Sequence, residues 1–238
     1  MATKITEKVT INAPGEDIVF DGVDFTGNAY IFIEAANSVS LKNCRIYNMA
    51  DTGKSVQFFN SVNAPKCKII IERCFFGDNK MEIGKLYNLI NLDAVVMDGT
   101  SFSHNYFTDK CCTHNEISLY NADEGATINI CNNVFEETDG GIRLGMCGSP
   151  ACTFNVNDNV GLAGVKDYPE YNGILLVQPC GKKTDSFENC TINMNMNVYP
   201  ENQIIYGYSG ANDTMLDETN SPKVFINGKQ TQIRILHS

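Results

Sequence analysis

One short β-rich phrase returns eight times along the chain: IVFDGVDF, VSLKNCRI, IIIERCFF, TSFSHNYF, INICNNVF, TFNVNDNV, TINMNMNV and KVFINGKQ. The last large apolar residue before each polar turn is Phe20, Leu41, Ile71, Phe102, Ile130, Val156, Met194 and Ile226, at intervals of 21, 30, 31, 28, 26, 38 and 32 residues. A unit of this size cannot bury its own apolar face. Successive units must stack to make a continuous core.

Each anchor is followed by two polar or small residues and a second strand, so two strands meet at a tight corner. A further apolar run lies between phrases: Tyr30 to Ile33, Gln57 to Phe59, Leu89 to Leu92, Ile117 to Leu119, Ile142 to Leu144, Ile174 to Val177 and Ile204 to Tyr206. A repeat thus carries roughly three short strands. Propeller blades need about 40 or more residues and leucine-rich repeats need helical segments, so neither fits.

The third residue after each anchor reads Val23, Cys44, Cys74, Asn105, Asn133, Asn159, Asn197 and Lys229. Stacking would align these into a ladder. Asn tolerates left-handed backbone and its amide can bond to the same amide in the next repeat. Cys44 and Cys74 read as small buried residues at the same corner.

These phrases resemble the coils of right-handed parallel β-helix proteins, the pectin-lyase-like architecture of phage tailspikes and pectate lyases. The resemblance runs from about Val9 to Phe225 and implies an all-β chain forming one solenoid of about eight coils. Residues 1–238 are then a single domain, with 1–10 and 229–238 as end caps. This architecture hosts lyases, hydrolases, adhesins and passive virion parts, so it does not fix an activity.

Composition narrows the choice of partner. The formal net charge is −10, from 18 basic and 28 acidic residues, and no Lys/Arg cluster is visible, which speaks against nucleic acid. The opening MATKITEKVTI has no basic segment followed by an apolar run, and no stretch of about 18 apolar residues occurs. The expectation is a protein made in the cytoplasm, with no membrane partner. Ten cysteines without CxxC spacing predict buried thiols and no metal. Cys147 with Cys152, and Cys180 with Cys190, flank loops that a disulfide could close.

Likeness to a pectate lyase would imply Asp/Glu on one sheet holding calcium, with an Arg or Lys as base. Glu136, Glu137 and Asp139 lie just before Ile142-Arg143-Leu144, while Asp123 and Glu124 follow Glu116. Asp and Gly in such segments are also what turn geometry alone demands, and this reading assigns them to solvated corners. His104 falls at a corner position that other repeats fill with Gly22, Asn43 and Asn132. His114 follows Cys111-Cys112-Thr113, a weak setting for a Cys/His dyad, and His237 lies in the tail. No catalytic residue and no cofactor are predicted.

The longest interval carries Tyr168, Pro169 and Tyr171, and the next repeat carries Tyr199, Tyr206 and Tyr208. Loops leaving a rigid solenoid on one side are where binding concentrates. These residues are the candidate binding patch. The functional expectation is a non-enzymatic bacteriophage structural protein on the virion surface: a capsid decoration protein, head fibre or tail-associated element. Its partners would be other virion proteins, including the capsid shell, or a host surface glycan, and a homo-oligomer is compatible with it. The alternative is a tailspike-like polysaccharide-binding or depolymerising enzyme.

Overall fold

The computed structural model describes residues 2–49, 58–61, 66–77, 86–92, 95–108, 112–138, 141–145, 150–164, 174–178, 186–199, 205–209 and 216–237. Among these residues every regular element is a strand, and every strand pairing but one is parallel. The chain is all-β, built from parallel sheets.

The pairings fall into three ladders. The first takes the second halves of Lys8–Asp21 and Tyr30–Lys42, then Lys66–Glu72, Ser101–Ser103, Thr127–Cys131, Thr153–Asn157, Thr191–Asn195 and Lys223–Ile226. Its anchors pair in one unbroken register. Phe20 lies beside Leu41, Leu41 beside Ile71, Ile71 beside Phe102, and so on through Ile130, Val156 and Met194 to Ile226. The second ladder holds the strand after each corner: Thr3–Ile5, Val23–Gly27, Arg45–Met49, Phe75–Gly77, Tyr106–Thr108, Val134–Thr138 and Val160–Gly164.

The third ladder takes the first halves of Lys8–Asp21 and Tyr30–Lys42, then Phe59–Asn60, Leu86–Leu92, Cys112–Leu119, Ile142–Leu144, Leu175–Val177, Ile205–Ser209 and Arg234–His237. These are the apolar runs between phrases. The chain visits the three ladders in rotation.

The corner between the first and second ladders has one backbone solution throughout. The residue two after each anchor from Phe20 to Met194 has positive φ: Gly22 at 65°, Asn43 at 51°, Arg73 at 52°, His104 at 57°, Asn132 at 58°, Asp158 at 56° and Met196 at 54°. A single left-handed residue redirects an extended chain sharply, at a cost of about 1–2 kcal/mol when it carries a Cβ other than that of Asn or Asp. His104 is therefore a corner residue, and it is exposed.

Alternation does the rest. In the first ladder Val39, Leu41, Ile69, Ile71, Phe102, Ile128, Ile130, Phe154, Val156, Ile192 and Met194 all enter one core with at most 1% exposure. Facing them from the second ladder, Phe76, Phe107 and Phe135 stack in sequence, with centroids 4.7 and 5.0 Å apart and planes within 11°. Each such ring contributes on the order of 1.5–3 kcal/mol by leaving water.

The ladder edges are finished differently at the two ends. At the start, Lys8–Asp21 carries Pro14, positive-φ Gly15 and register shifts that interrupt the edge. Such irregularities hinder pairing with a further strand. Thr3–Ile5 is the outermost strand of the second ladder. At the far end Asn227 and Gly228, with φ of 49° and 76°, reverse the chain so that exposed Lys229–Thr231 pairs antiparallel with Lys223–Ile226. An Asn-Gly pair with both φ positive is the favoured two-residue hairpin turn. Lys229 thus leaves the corner series that its spacing predicts.

Candidate functional site

At the corner, four asparagines form a continuous ladder, with Asn105, Asn133 and Asn159 buried and Asn197 partly exposed at its end. Asn105 Nδ2 donates to Asn133 Oδ1 at 3.0 Å, Asn133 to Asn159 at 3.0 Å and Asn159 to Asn197 at 3.1 Å. The same oxygens accept from the preceding backbone N–H groups of Asn105, Asn133 and Asn159. Each amide also donates to the anchor carbonyl one repeat earlier: Asn105 to Ile71, Asn133 to Phe102, Asn159 to Ile130 and Asn197 to Val156. Corner N–H and C=O groups that leave the strand ladder are thereby satisfied inside the protein.

Cys74 and Cys44 occupy the same place. Cys74 Sγ lies 3.5 Å from Leu41 O and 3.4 Å from Glu72 O, and Cys44 Sγ lies 3.4 Å from Phe20 O and 3.2 Å from Lys42 O, so each thiol stands beside the anchor carbonyl that an amide serves later and shares it with a carbonyl two residues earlier in its own chain segment. The Cys74 N–H is taken by Asn105 Oδ1 at 2.9 Å. Hydrogen bonding to Cys44, together with burial, pushes the Cys74 thiol above its ordinary range. Burial, with a smaller push from the Asp17 charge, takes Cys67 up to about 11.

Two further asparagine rows run along the outward face of the first ladder. Asn155 Nδ2 donates to Asn129 Oδ1 at 2.9 Å and Asn193 to Asn155 at 3.0 Å, while Asn195 donates to Asn157 at 3.0 Å. Their signal was in the phrases TFNVNDN and TINMNMN, whose asparagines recur at fixed offsets either side of the anchor.

Of the two cysteine pairs suggested by loop spacing, Cys152 and Cys190 are described and their proposed partners are not. Cys152 faces Cys190 across adjacent repeats with sulfurs 3.4 Å apart, because Thr153 and Thr191 are register partners. Both are buried free thiols. Cys111, Cys147 and Cys180 lie outside the described residues. Cys112 and His114 are on Cys112–Leu119, and only their backbone is described.

The candidate acids are dispersed. Asp123 pairs with Lys66 at 2.7 Å, Glu124 accepts from the Ala151 N–H at 3.0 Å, and Glu136 accepts from the Tyr106 hydroxyl. The first two sit at the turn into the first ladder and the third on the second ladder. Glu116 and Glu137 are described by backbone only, and Asp139 lies outside the described residues. Among the described residues no three Asp, Glu, His or Cys side chains cluster to hold a metal.

Of the aromatic candidates, Tyr168, Pro169 and Tyr171 lie outside the described residues. Tyr199 is 8% exposed and lies flat on Gly161, where a Cβ would come within 2.2 Å of its ring. Gly161 is the register partner of Phe135. Tyr199 therefore takes the place that the next phenylalanine of the stack would fill, which makes it part of the core edge. Tyr206 and Tyr208 are on Ile205–Ser209 of the third ladder, in register with Arg234 and Leu236.

Tyr206 belongs to a row that crosses the third ladder: Asn60, Asn91, Ser118, Arg143, Leu176, Tyr206 and Arg234 are successive register partners. The sequence neighbours Ile90, Leu92, Ile117, Leu119, Ile142, Leu144, Leu175 and Val177 enter the core, so Asn91, Ser118, Arg143 and Leu176 are on the opposite face. Even so, Asn91, Ser118 and Leu176 are buried. The Arg143 guanidinium lies 5.2 Å from the Tyr120 ring centroid, and its Nη1 donates to Tyr120 Oη at 3.2 Å.

Comparison of the chain with known protein families, with curated proteins and with solved structures finds no match.

Proposed function

We propose that residues 1–238 wind as one right-handed parallel β-helix of about eight coils and act as a non-enzymatic structural part of a bacteriophage-type particle: a capsid decoration protein, head fibre or tail-associated element. The supporting observation is the unbroken register of eight anchors through seven consecutive pairings. A chain that visits three parallel ladders in rotation must wind, and parallel crossovers are overwhelmingly right-handed. Described polar side chains join one repeat to the next, as in the asparagine ladders and the contact of Tyr106 with Glu136, or hold turns, as with Asp123 and Glu124. Such an object is a stiff rod whose long sides, between finished edges, are free to meet other virion proteins or the capsid shell.

The reading is tested with purified protein and assembled particles that lack it. Co-sedimentation with those particles, together with no new reducing ends or unsaturated products from acidic and neutral polysaccharides, is the expected result. Polysaccharide turnover in the absence of particle binding would overturn it in favour of a depolymerase.

A further inference from the structure

The geometry points to a receptor for a single carboxylate group at Ser118 and Arg143, on the outward face of the third ladder. The two residues are direct register partners on neighbouring parallel strands. Their side chains therefore rise from the same face about 5 Å apart. Ser118 is 0% exposed, and among the described residues neither its Oγ nor the buried Arg143 Nε has a hydrogen-bond partner. Buried donors without acceptors are rare in folded chains because each forfeits its hydration without return. Two of them side by side, one on a permanent cation, mark a place where an acceptor belongs.

The arrangement selects the acceptor. Arg143 Nη1 is held by Tyr120, whose ring lies 5.2 Å from the guanidinium carbon. The other edge of the guanidinium is the side-on fork of Nε and Nη2, whose two parallel N–H groups match the two oxygens of a carboxylate. The Ser118 hydroxyl can add a third donor to one of those oxygens. Among the described residues no carboxylate pairs with Arg143, since the two ion pairs there are Lys66 with Asp123 and Arg73 with Glu72. One positive charge suits a monoanion. The next cation on the row, Arg234, is three strand spacings from Arg143, roughly 14 Å. It is too distant to share one anion, so a phosphate dianion would be poorly balanced. The chain's net charge of −10 leaves this local cation as the feature that would draw a carboxylate in.

The inference does not depend on membership of a particle. Thermal unfolding and calorimetric titration of the intact chain would use acetate as a free carboxylate and N-acetylglutamate amide as a side-chain carboxylate. Sodium chloride at equal ionic strength and N-acetylglutamine amide are the controls. A saturable rise in Tm with either carboxylate and with neither control is the expected result. Acetate alone would identify a free small acid as the ligand, and the capped glutamate alone a carboxylate borne by a partner chain. Arg143→Lys keeps the charge but loses the fork, and should weaken binding at least tenfold. Ser118→Ala removes an unpaired buried donor, so it should match or exceed the parent Tm without ligand while binding carboxylate several-fold more weakly. Equal responses to acetate, capped glutamate and chloride would overturn the assignment. So would Ser118→Ala titrating like the parent, even if Arg143→Lys failed to fold.

Discussion

The same corner is built twice in this chain from different chemistry. In the later repeats Asn105, Asn133, Asn159 and Asn197 each donate to a neighbouring anchor carbonyl and accept from a neighbouring N–H. In the earlier ones Cys44 and Cys74 set a sulfur beside the equivalent carbonyls in long S–H contacts that the carbonyls of Lys42 and Glu72 share. What the corner requires in common is a small buried side chain with a donor aimed at one oxygen. The amide adds an acceptor, and that addition turns isolated contacts into a continuous chain of bonds that can reinforce one another.

The largest test breaks the amide half. Asn133→Leu removes both donations of Asn133 and deprives Asn105 of the oxygen that takes its backbone and side-chain N–H groups. Several buried groups are left unsatisfied, so the expected loss is about 3 kcal/mol or more, measured by chemical denaturation. Asn133→Cys installs the thiol solution in the amide half and should lose roughly half as much. If the two variants unfolded together, donation to the carbonyl would not be what the cysteines contribute.

Alkali probes a buried thiol of the first ladder outside the corner. Cys67 has a folded pKa raised, by burial first, from the ordinary 9.0 to about 11. A raised value keeps the proton in the folded state, so the stability it carries is complete below pH 9. It is lost as pH climbs from 9 towards 11, by about 1 kcal/mol per pH unit. Cys67→Ala should flatten that slope in denaturation curves recorded between pH 8 and pH 10.5. An unchanged slope would locate the alkaline sensitivity elsewhere.

The repeat was legible because its two determinants are local: an apolar anchor, and a left-handed residue two positions later that the chain supplies as Gly, Asn, Asp, His, Arg or Met. Reading that offset places Asn105, Asn133, Asn159 and Asn197 in line without any structural information. Features set by contacts between distant segments were not legible. Tyr199 reads as a free aromatic because nothing near it in sequence announces that Gly161 leaves a ring-sized gap in the phenylalanine stack. The row through Ser118 and Arg143 depends on the register of Ile142–Leu144 against Cys112–Leu119, strands whose intervening loops hide any fixed offset. Lys229 follows the anchor spacing, yet Asn227-Gly228 turns the chain back before the series can continue.

Met196 offers a smaller effect at the corner itself. It is 70% exposed and has φ of 54°, so its side chain gains nothing from packing while its backbone bears the left-handed penalty. Met196→Gly relieves that penalty but gives the unfolded chain more freedom, for a net gain of about 0.5–1 kcal/mol. A Tm below the parent's would mean that the corner backbone is held less tightly there than in the other repeats.

The finest comparison converts a thiol repeat into an amide repeat. In Cys74→Asn the new Nδ2 would be aimed at Leu41 O, which the Cys74 sulfur now reaches at 3.5 Å. The new Oδ1 would stand where Asn105 Oδ1 stands relative to Cys74, and so would accept from the Cys44 N–H as Asn105 accepts from Cys74 N at 2.9 Å. Asn is only slightly larger than Cys, and Asn105 on the next repeat already accommodates an amide neighbour in Asn133. Replacing a weak S–H donor by an N–H donor and adding one acceptor should stabilise by about 0.5–1 kcal/mol, the net value of one ordinary hydrogen bond. The gain should vanish in the Asn105→Ala background, where the substituted amide would end a ladder that no longer continues. A loss of more than about 1 kcal/mol in the parent background would show that the early corner is shaped for sulfur, and that its cysteines are more than asparagines with fewer bonds.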